Sequence, residues 1–454
     1  MEKLYTLNPK TLWSQLRREH VAFWMVCFYV ILQYFDPLEI YPHLAIIPWD
    51  KVVIVLALLA LPLDPCRRRV RDATNVWMTL FLLVIFASSA LAIYPSISFS
   101  RWFAFVDWYV IYFMIINVVT TAERYFIVLA IFLLANFKMS FFGARTWAER
   151  GLGFTSWGLE GPPGYFQNSA DFSGEMLMFA PIAFELALFV KPYVRRVTYW
   201  FLMLGALTGV MTVLGSSARG SQVAMAFQGT WIAIQRKLKL RVLIGIALLA
   251  GLGFALLPAA EKARFERAGT DKTSVQRLDY WRAGLKMIEH HPVLGVGFFN
   301  FAPVYAVHDP TKLFNGKEQL PHNIFIQVGT DAGILGLGIF LALIIRNFQI
   351  AREIRSICKK SKTAPAFASP VARALTVAAW GFVIAGQFNT VSYYPFFWIN
   401  LALTVSLANI VRRAALQEAS IKAARQSQSL RPDAKMSGAV GSTQGELAAP
   451  RNTS

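Results

Sequence analysis

An all-α polytopic membrane protein of about twelve transmembrane helices is predicted by three features of the sequence. The chain of 454 residues is 56% hydrophobic and only 16% charged, whereas a soluble chain carries about a quarter charged residues. Its apolar residues are gathered into blocks that approach the roughly 20 residues a helix needs to cross a hydrocarbon core. Its basic residues concentrate in alternate connections between those blocks, the bias that orients membrane helices.

The expected spans are residues 21–35, 46–63, 75–94, 103–119, 124–142, 172–190, 197–214, 218–234, 242–258, 323–345, 373–390 and 396–411, within a transmembrane domain covering 1–416. The first block, Val21 to Phe35, has no small-residue cleavage site behind it and reads as a retained anchor. Arg67, Arg68, Arg69 and Arg71 lie in the second connection, and Lys191, Arg195 and Arg196 in the sixth. Arg236, Lys237, Lys239 and Arg241 lie in the eighth, Arg346 to Lys362 supply six more to the tenth, and Arg412 and Arg413 follow the last span. This alternation predicts both termini in the cytoplasm. It also accounts for the net charge of +19 without a nucleic-acid partner. Cys27, Cys66 and Cys358 fall in the membrane or on the reducing side, so no disulfide is expected.

Two outward connections are too long for plain turns, residues 143–171 and 259–321. The first contains the turn Gly161-Pro-Pro-Gly164. In the second, Leu278, Trp281, Leu285 and Ile288 recur at helical spacing, predicting an amphipathic helix over 274–290 that lies on the membrane or caps the bundle. Residues 417–454, rich in Ala, Ser, Gln and Gly without an apolar period, read as a disordered cytoplasmic tail that could touch anionic lipid.

Ionisable residues inside a bilayer are costly and point to function. With this topology Asp107, Lys138, Glu175 and Arg219 fall in the outer halves of their spans, and His322 sits at the outer mouth of the tenth. Only Glu185 and Asp331 lie near or past the middle, so the distribution suggests one polar chamber opening outward rather than an ion path. Arg219 stands among the small residues Gly215 to Ser221, where a guanidinium reaches a ligand unobstructed and can grip phosphate in a fork. Arg277 and Trp281, four apart, share a face of the loop helix. Arg282 is the nearest competitor for the arginine's role. His322 is the side chain best suited to take a proton near neutral pH. Asn323 can cap the following helix, and Asn323, Gln327 and Asp331 form a polar stripe facing the bundle interior. The Gly-x-Gly at 295–297 follows no strand and reads as a tight turn, and no metal-ligand spacing is present.

These residues resemble the bacterial O-antigen ligase and polymerase superfamily. The resemblance runs through Arg277-Leu-Asp-Tyr-Trp281, Glu289 to Phe301, His322-Asn-Ile-Phe-Ile-Gln327 and Asp331-Ala-Gly-Ile-Leu-Gly-Leu337, with Ser217-Ala-Arg-Gly220 upstream. Asp331 departs from the Glu expected before Ala-Gly. The resemblance implies an inner-membrane glycosyltransferase working at the periplasmic face, with undecaprenyl-diphosphate-linked glycan as donor, lipid A-core or another periplasmic hydroxyl as acceptor, and no metal or cofactor. It implies that Arg219 and Arg277 contact the donor diphosphate and that His322 activates or orients the acceptor. Trp281, Asn323 and Lys138 are further substrate-binding candidates. Gly161 to Asn168 is similar to ligases that modify proteins, which leaves the acceptor open between lipid, growing polymer and protein. From another class, a flippase for the same lipid-linked glycan would show pseudo-repeats and helices broken at mid-membrane. No repeat is found.

Overall fold

The computed structural model describes residues 1–454 apart from 36, 156–157, 238, 240, 242–243, 246–247, 249–250, 252–258, 268, 314–315 and 430–454. The described residues form helices and connections with no strand, as expected of an all-α chain. The principal helices are α1 (Pro9–Leu16), α2 (Val21–Tyr34), α3 (Trp49–Ala60), α4 (Ala73–Ala90), α5 (Phe103–Val118), α6 (Ala122–Glu149), α7 (Ser169–Val190) and α8 (Arg196–Gly215). They continue with α9 (Arg219–Gln235), α10 (Ala259–Glu266), α11 (Lys272–His290), α12 (Phe301–His308), α13 (Ile324–Lys360), α14 (Ala368–Ala385) and α15 (Pro395–Ser429). Every expected span except the ninth coincides with one of these helices; 242–258 lies largely outside the described residues.

Seven of the described helices are long and apolar enough to cross a membrane: α4, α6, α7, α8, α13, α14 with its 3-10 extension to Phe388, and α15. That is fewer than the twelve expected. Of the five missing, 242–258 lies largely outside the described residues and the other four are short helices: α2, α5, α9 and α3 have 14, 16, 17 and 12 residues. At 1.5 Å per residue the last extends about 18 Å, short of the roughly 30 Å hydrocarbon core. Pro48 forms the N-cap of α3 and Pro62 sits in the 3-10 turn that follows it, so the chain bends at both ends of that apolar block.

α7 is the hub, packed between α6, α8 and α14, while α13 packs on α4, α14 and α15. One end of the bundle is tied by ion pairs among the basic connections. Arg124, 1% exposed, donates to Asp64 at 2.6 Å and Glu19 at 2.7 Å. Arg412 bridges Asp72 and Glu353, and Glu185 accepts from both Arg236 and Arg373. α7, which carries Glu185 at this basic end, begins at the opposite end with Ser169.

α13 is two helices joined at Gly333, whose φ of 65° is left-handed. A Cβ there would lie 2.2 Å from the Val293 carbonyl oxygen, so only glycine lets the two strands of chain touch. The break frees backbone groups, and the turn at 292–297 satisfies them: Val296 N–H donates to Thr330 O at 2.8 Å and Pro292 O accepts from Ile334 N–H at 2.7 Å. The polar stripe of α13 does face inward, with Asn323, Gln327 and Asp331 all buried. Asp331 accepts from the Phe299 N–H at 3.1 Å, fixing the same turn.

The loop helix expected over 274–290 is α11, and it caps the bundle against α13. Its packed face differs from the expected one. Tyr280, Gly284 and Met287 are buried, while Leu278 and Leu285 are 39% and 59% exposed. A Cβ on Gly284 would come 2.4 Å from Ile326 Cγ2, so the smallest residue, not the leucines, sets the contact. The expected tail also needs correction. α15 continues through residues 417–429, supported by the Glu418–Lys422 pair one turn apart, and residues 430–454 lie outside the described set.

Candidate active site

At the end of the bundle away from the ion-paired connections, Arg219 and Arg277 line one cavity of about 300 Å³. Three helices begin at its wall: Ser169 and Ala170 open α7, Arg219 opens α9, and Thr273 lies in the first turn of α11. Helix N-termini carry partial positive charge and unpaired N–H groups, so their convergence favours an anion. The α7 terminus is capped by Asn168 and the α11 terminus by Asp271, but no side chain caps α9 at Ala218. The preceding Ser217 has a φ of 56°, and its buried hydroxyl has no hydrogen-bond partner among the described residues. Such a group is satisfied by a ligand or water in the cavity it lines.

The two arginines are held differently. Arg219 donates to Asp271 at 2.9 Å and to Ser274 at 3.3 Å, which ties α9 to the loop helix. Burial raises the Asp271 pKa, but hydrogen bonds from Ser274, Thr273 and Arg219 outweigh it and hold the carboxyl well below its usual range. Arg277 has no hydrogen bond or ion pair among the described residues. Burial, then the charge of Arg219, disfavours its cationic form, with Asp271 opposing. Two guanidiniums that repel each other across a cavity, one lacking a carboxylate, make a site that binding of a polyanion relieves.

His322 is fixed beside this cavity by contacts from three directions. Its backbone is left-handed, φ 52°, a conformation that persists only when its surroundings enforce it. Thr390 Oγ1 accepts from the His322 N–H at 2.9 Å, and Trp281 Nε1 donates to the Pro321 carbonyl at 3.0 Å. Behind Thr390, its N–H donates to Asn389 Oδ1 at 2.8 Å, and Asn389 Nδ2 donates to the buried Asp171 at 2.6 Å. Asn389 itself lines the cavity. Burial first, and then the Arg277 charge, pushes the His322 pKa down to about 4, so the imidazole is neutral at pH 7. Gln319 Oε1 lies 3.4 Å from Nε2, and in the tautomer that donates there Nδ1 keeps a lone pair for a hydroxyl proton.

Residues 201–341 match the family model described as O-antigen ligase. Over that segment the chain is similar to O-antigen ligases. The matched segment contains Arg219, Arg277 and His322, and it bears out the resemblance read from the motifs. No curated protein matches the chain.

The walls of the cavity extend beyond that segment. Glu160, Asn168 and Ser169 come from the long first loop, and Phe388 and Asn389 from the end of α14. Gly158, φ 73°, brings the loop in: a Cβ there would sit 1.9 Å from the Ser216 carbonyl oxygen. Sequence reasoning missed Asp271, Thr390, Asn389 and Asp171. Asp271 carried a signal, an Asp just ahead of an amphipathic run; the other three are distant in sequence and carried none.

Other expected site residues are placed elsewhere. Lys138 donates to the Phe35 carbonyl at 2.7 Å with its ammonium 4.7 Å from the Phe35 ring, so it serves the C-terminal end of α2 and does not line the cavity. Asn323 accepts from the Phe325 and Ile326 N–H groups, the N-cap of α13, and its amide reaches Gln387. Trp281 directs its N–H to the His322 turn and packs 6.4 Å from the Phe388 ring. The competitor Arg282 points away, 72% exposed and paired with Asp279.

Proposed function

We propose that this chain is a membrane glycosyltransferase that moves a glycan from a polyprenyl diphosphate to an acceptor hydroxyl, with Arg219 and Arg277 on the diphosphate and His322 on the acceptor. The observation that carries it is the convergence of two arginines and three helix N-termini on one cavity beside a neutral histidine. A glycosyl diphosphate already has a good leaving group, so the demand on the protein is to stabilise charge growing on the departing phosphate. Fixed guanidiniums and helix dipoles do this without reorganising. The acceptor oxygen attacks the anomeric carbon, the bond from that carbon to the diphosphate breaks, and polyprenyl diphosphate leaves with the electron pair. The hydroxyl proton passes to His322 or is oriented by it. Direct displacement inverts the anomeric centre.

We place the cavity at the periplasmic face of a bacterial inner membrane and both termini in the cytoplasm, because the basic connections gather at the opposite end of the bundle. The acceptor we favour is lipid A-core; a growing polymer or an exported protein would use the same donor half. The ion-paired basic end and the cavity's confinement to the other end disfavour a flippase, which needs polar groups through the whole depth.

The test uses purified protein with a defined polyprenyl-diphosphate glycan and a panel of acceptors. Glycan should appear on one acceptor and be lost in His322→Ala, while Lys286→Ala, on the exposed side of α11, retains transfer. If no acceptor is modified and the protein instead carries lipid-linked glycan between vesicle leaflets, the transfer assignment is wrong.

A further inference from the structure

A second cavity, about 940 Å³, lies at the basic end of the bundle between the ends of α3 and α5 and the start of α4. Arg67, Arg69 and Arg71 all line it. The bland account of these arginines is orientation alone, for which a solvated loop suffices. This segment is not loose. Arg68 N–H donates to the Asn117 carbonyl at 3.1 Å, Val70 N–H to Asn117 Oδ1 at 2.9 Å, and Asn75 Nδ2 to the Val70 carbonyl at 2.8 Å. Val70 is buried between the arginines and lines the cavity with them. Tyr112 in turn fixes Asn75 through a 2.8 Å hydrogen bond.

None of the three arginines is ion-paired among the described residues, unlike their neighbours. The one carboxylate on the cavity wall, Asp72, is taken by Arg412 at 2.7 Å and faces Arg346 at 3.7 Å. Away from the guanidiniums the wall, with Leu61, Val76, Leu80 and Phe113, is largely apolar, interrupted by Asn75 and the Thr79–Tyr109 hydroxyl pair at 3.2 Å. Val76 and Leu80 are 60% and 39% exposed. A cationic rim beside an open, largely apolar wall suits a phospholipid, headgroup at the rim and acyl chains along the wall, and basic pockets between helices at this leaflet suit anionic headgroups.

We propose that this cavity binds a phospholipid whose headgroup carries two phosphates, with Arg67, Arg69 and Arg71 on the phosphates and the acyl chains along Val76, Leu80 and Phe113. Three unpaired positive charges exceed what one phosphodiester neutralises, and a two-phosphate headgroup matches them more closely. The site is separate from the transfer cavity and stands whether or not the transfer assignment holds.

Native mass spectrometry of the full-length protein in detergent, titrated with cardiolipin, phosphatidylglycerol and inorganic pyrophosphate, tests this. The comparison is between R67Q/R69Q/R71Q and K191Q/R195Q/R196Q, which removes three charges from another basic connection. At about 1 kcal/mol per arginine near a lipid surface, the first variant should bind cardiolipin about 10²-fold more weakly, and the second should match the wild type. Phosphatidylglycerol should bind more weakly than cardiolipin to the wild type. Equal losses in both triple variants would mean an unspecific basic surface. Phosphatidylglycerol binding as tightly as cardiolipin, or displacement of the lipid by equimolar pyrophosphate, would equally overturn the assignment. If the first variant melts below the wild type in lipid-free detergent, R69Q alone decides: about a fivefold loss of cardiolipin binding supports the site and no loss rejects it.

Discussion

The buried arginines at the two ends of the bundle are held in opposite ways. At the basic end, Arg124 and Arg412 are each gripped by two carboxylates and Glu185 by two arginines, so charge is neutralised inside the fold. At the cavity end, Arg219 shares one aspartate and Arg277 has none. A buried cation held by carboxylates is a fastener. One held near a second cation in an open cavity lowers stability unless an anion joins it. The pairing state thus separates arginines that hold helices together from those we propose for the donor diphosphate.

The largest effect expected from that contrast is at the fastener. Arg124→Ala leaves Asp64 buried without its partner, and breaking such a pair costs about 3–5 kcal/mol. A steep loss of Tm in detergent should appear, with residual activity in whatever fraction remains folded. A Tm within a degree or two of wild type would show that pairing does not distinguish the two ends.

Next is Arg277→Ala, which should do the reverse. Loss of one charge-stabilising donor typically costs about 10²–10³-fold in turnover. With the Arg219–Arg277 repulsion gone, Tm should stay the same or rise. A variant that loses stability in parallel with activity would assign Arg277 to the fold.

The same contrast sorts what could be read from sequence. Hydropathy and the alternation of basic connections located the helices, because a bilayer imposes those patterns locally. The α11 helix was legible from its period, yet its packed face was not, since Gly284 settles the contact and carries no hydropathy signal. The break at Gly333 was equally hidden: it depends on a turn some forty residues earlier to late in the same segment meeting the helix in space, through Val293 and Pro292. Lys138 shows the limit of reasoning from intramembrane charge, because an ammonium that ends a helix on a carbonyl looks the same in sequence as one that holds phosphate. Arg219, Arg277 and His322 were singled out by motif resemblance. Their convergence rests on Asp271, Thr390, Asn389 and Asp171, which only the folded chain brings to them.

The smallest effect is the most diagnostic of the cavity end, a separation of two pH limbs. A histidine that accepts a proton must be neutral, so activity falls as pH drops through its pKa. In the free protein that value is about 4, set by burial and by the Arg277 charge, and kcat/KM reports the free protein. A bound diphosphate offsets Arg277, so the His322 pKa should move up toward the ordinary value of about 6.5. The acidic limb of kcat, which reports the complex, should therefore lie above that of kcat/KM, by the smaller part of the shift, because burial, its larger cause, persists. In Arg277→Gln the free-protein limb should rise and the gap should narrow, because the charge that depressed it is gone. Coincident limbs in the wild type would mean that the diphosphate does not sit against Arg277, and the arginine pair would then need another anion to explain it.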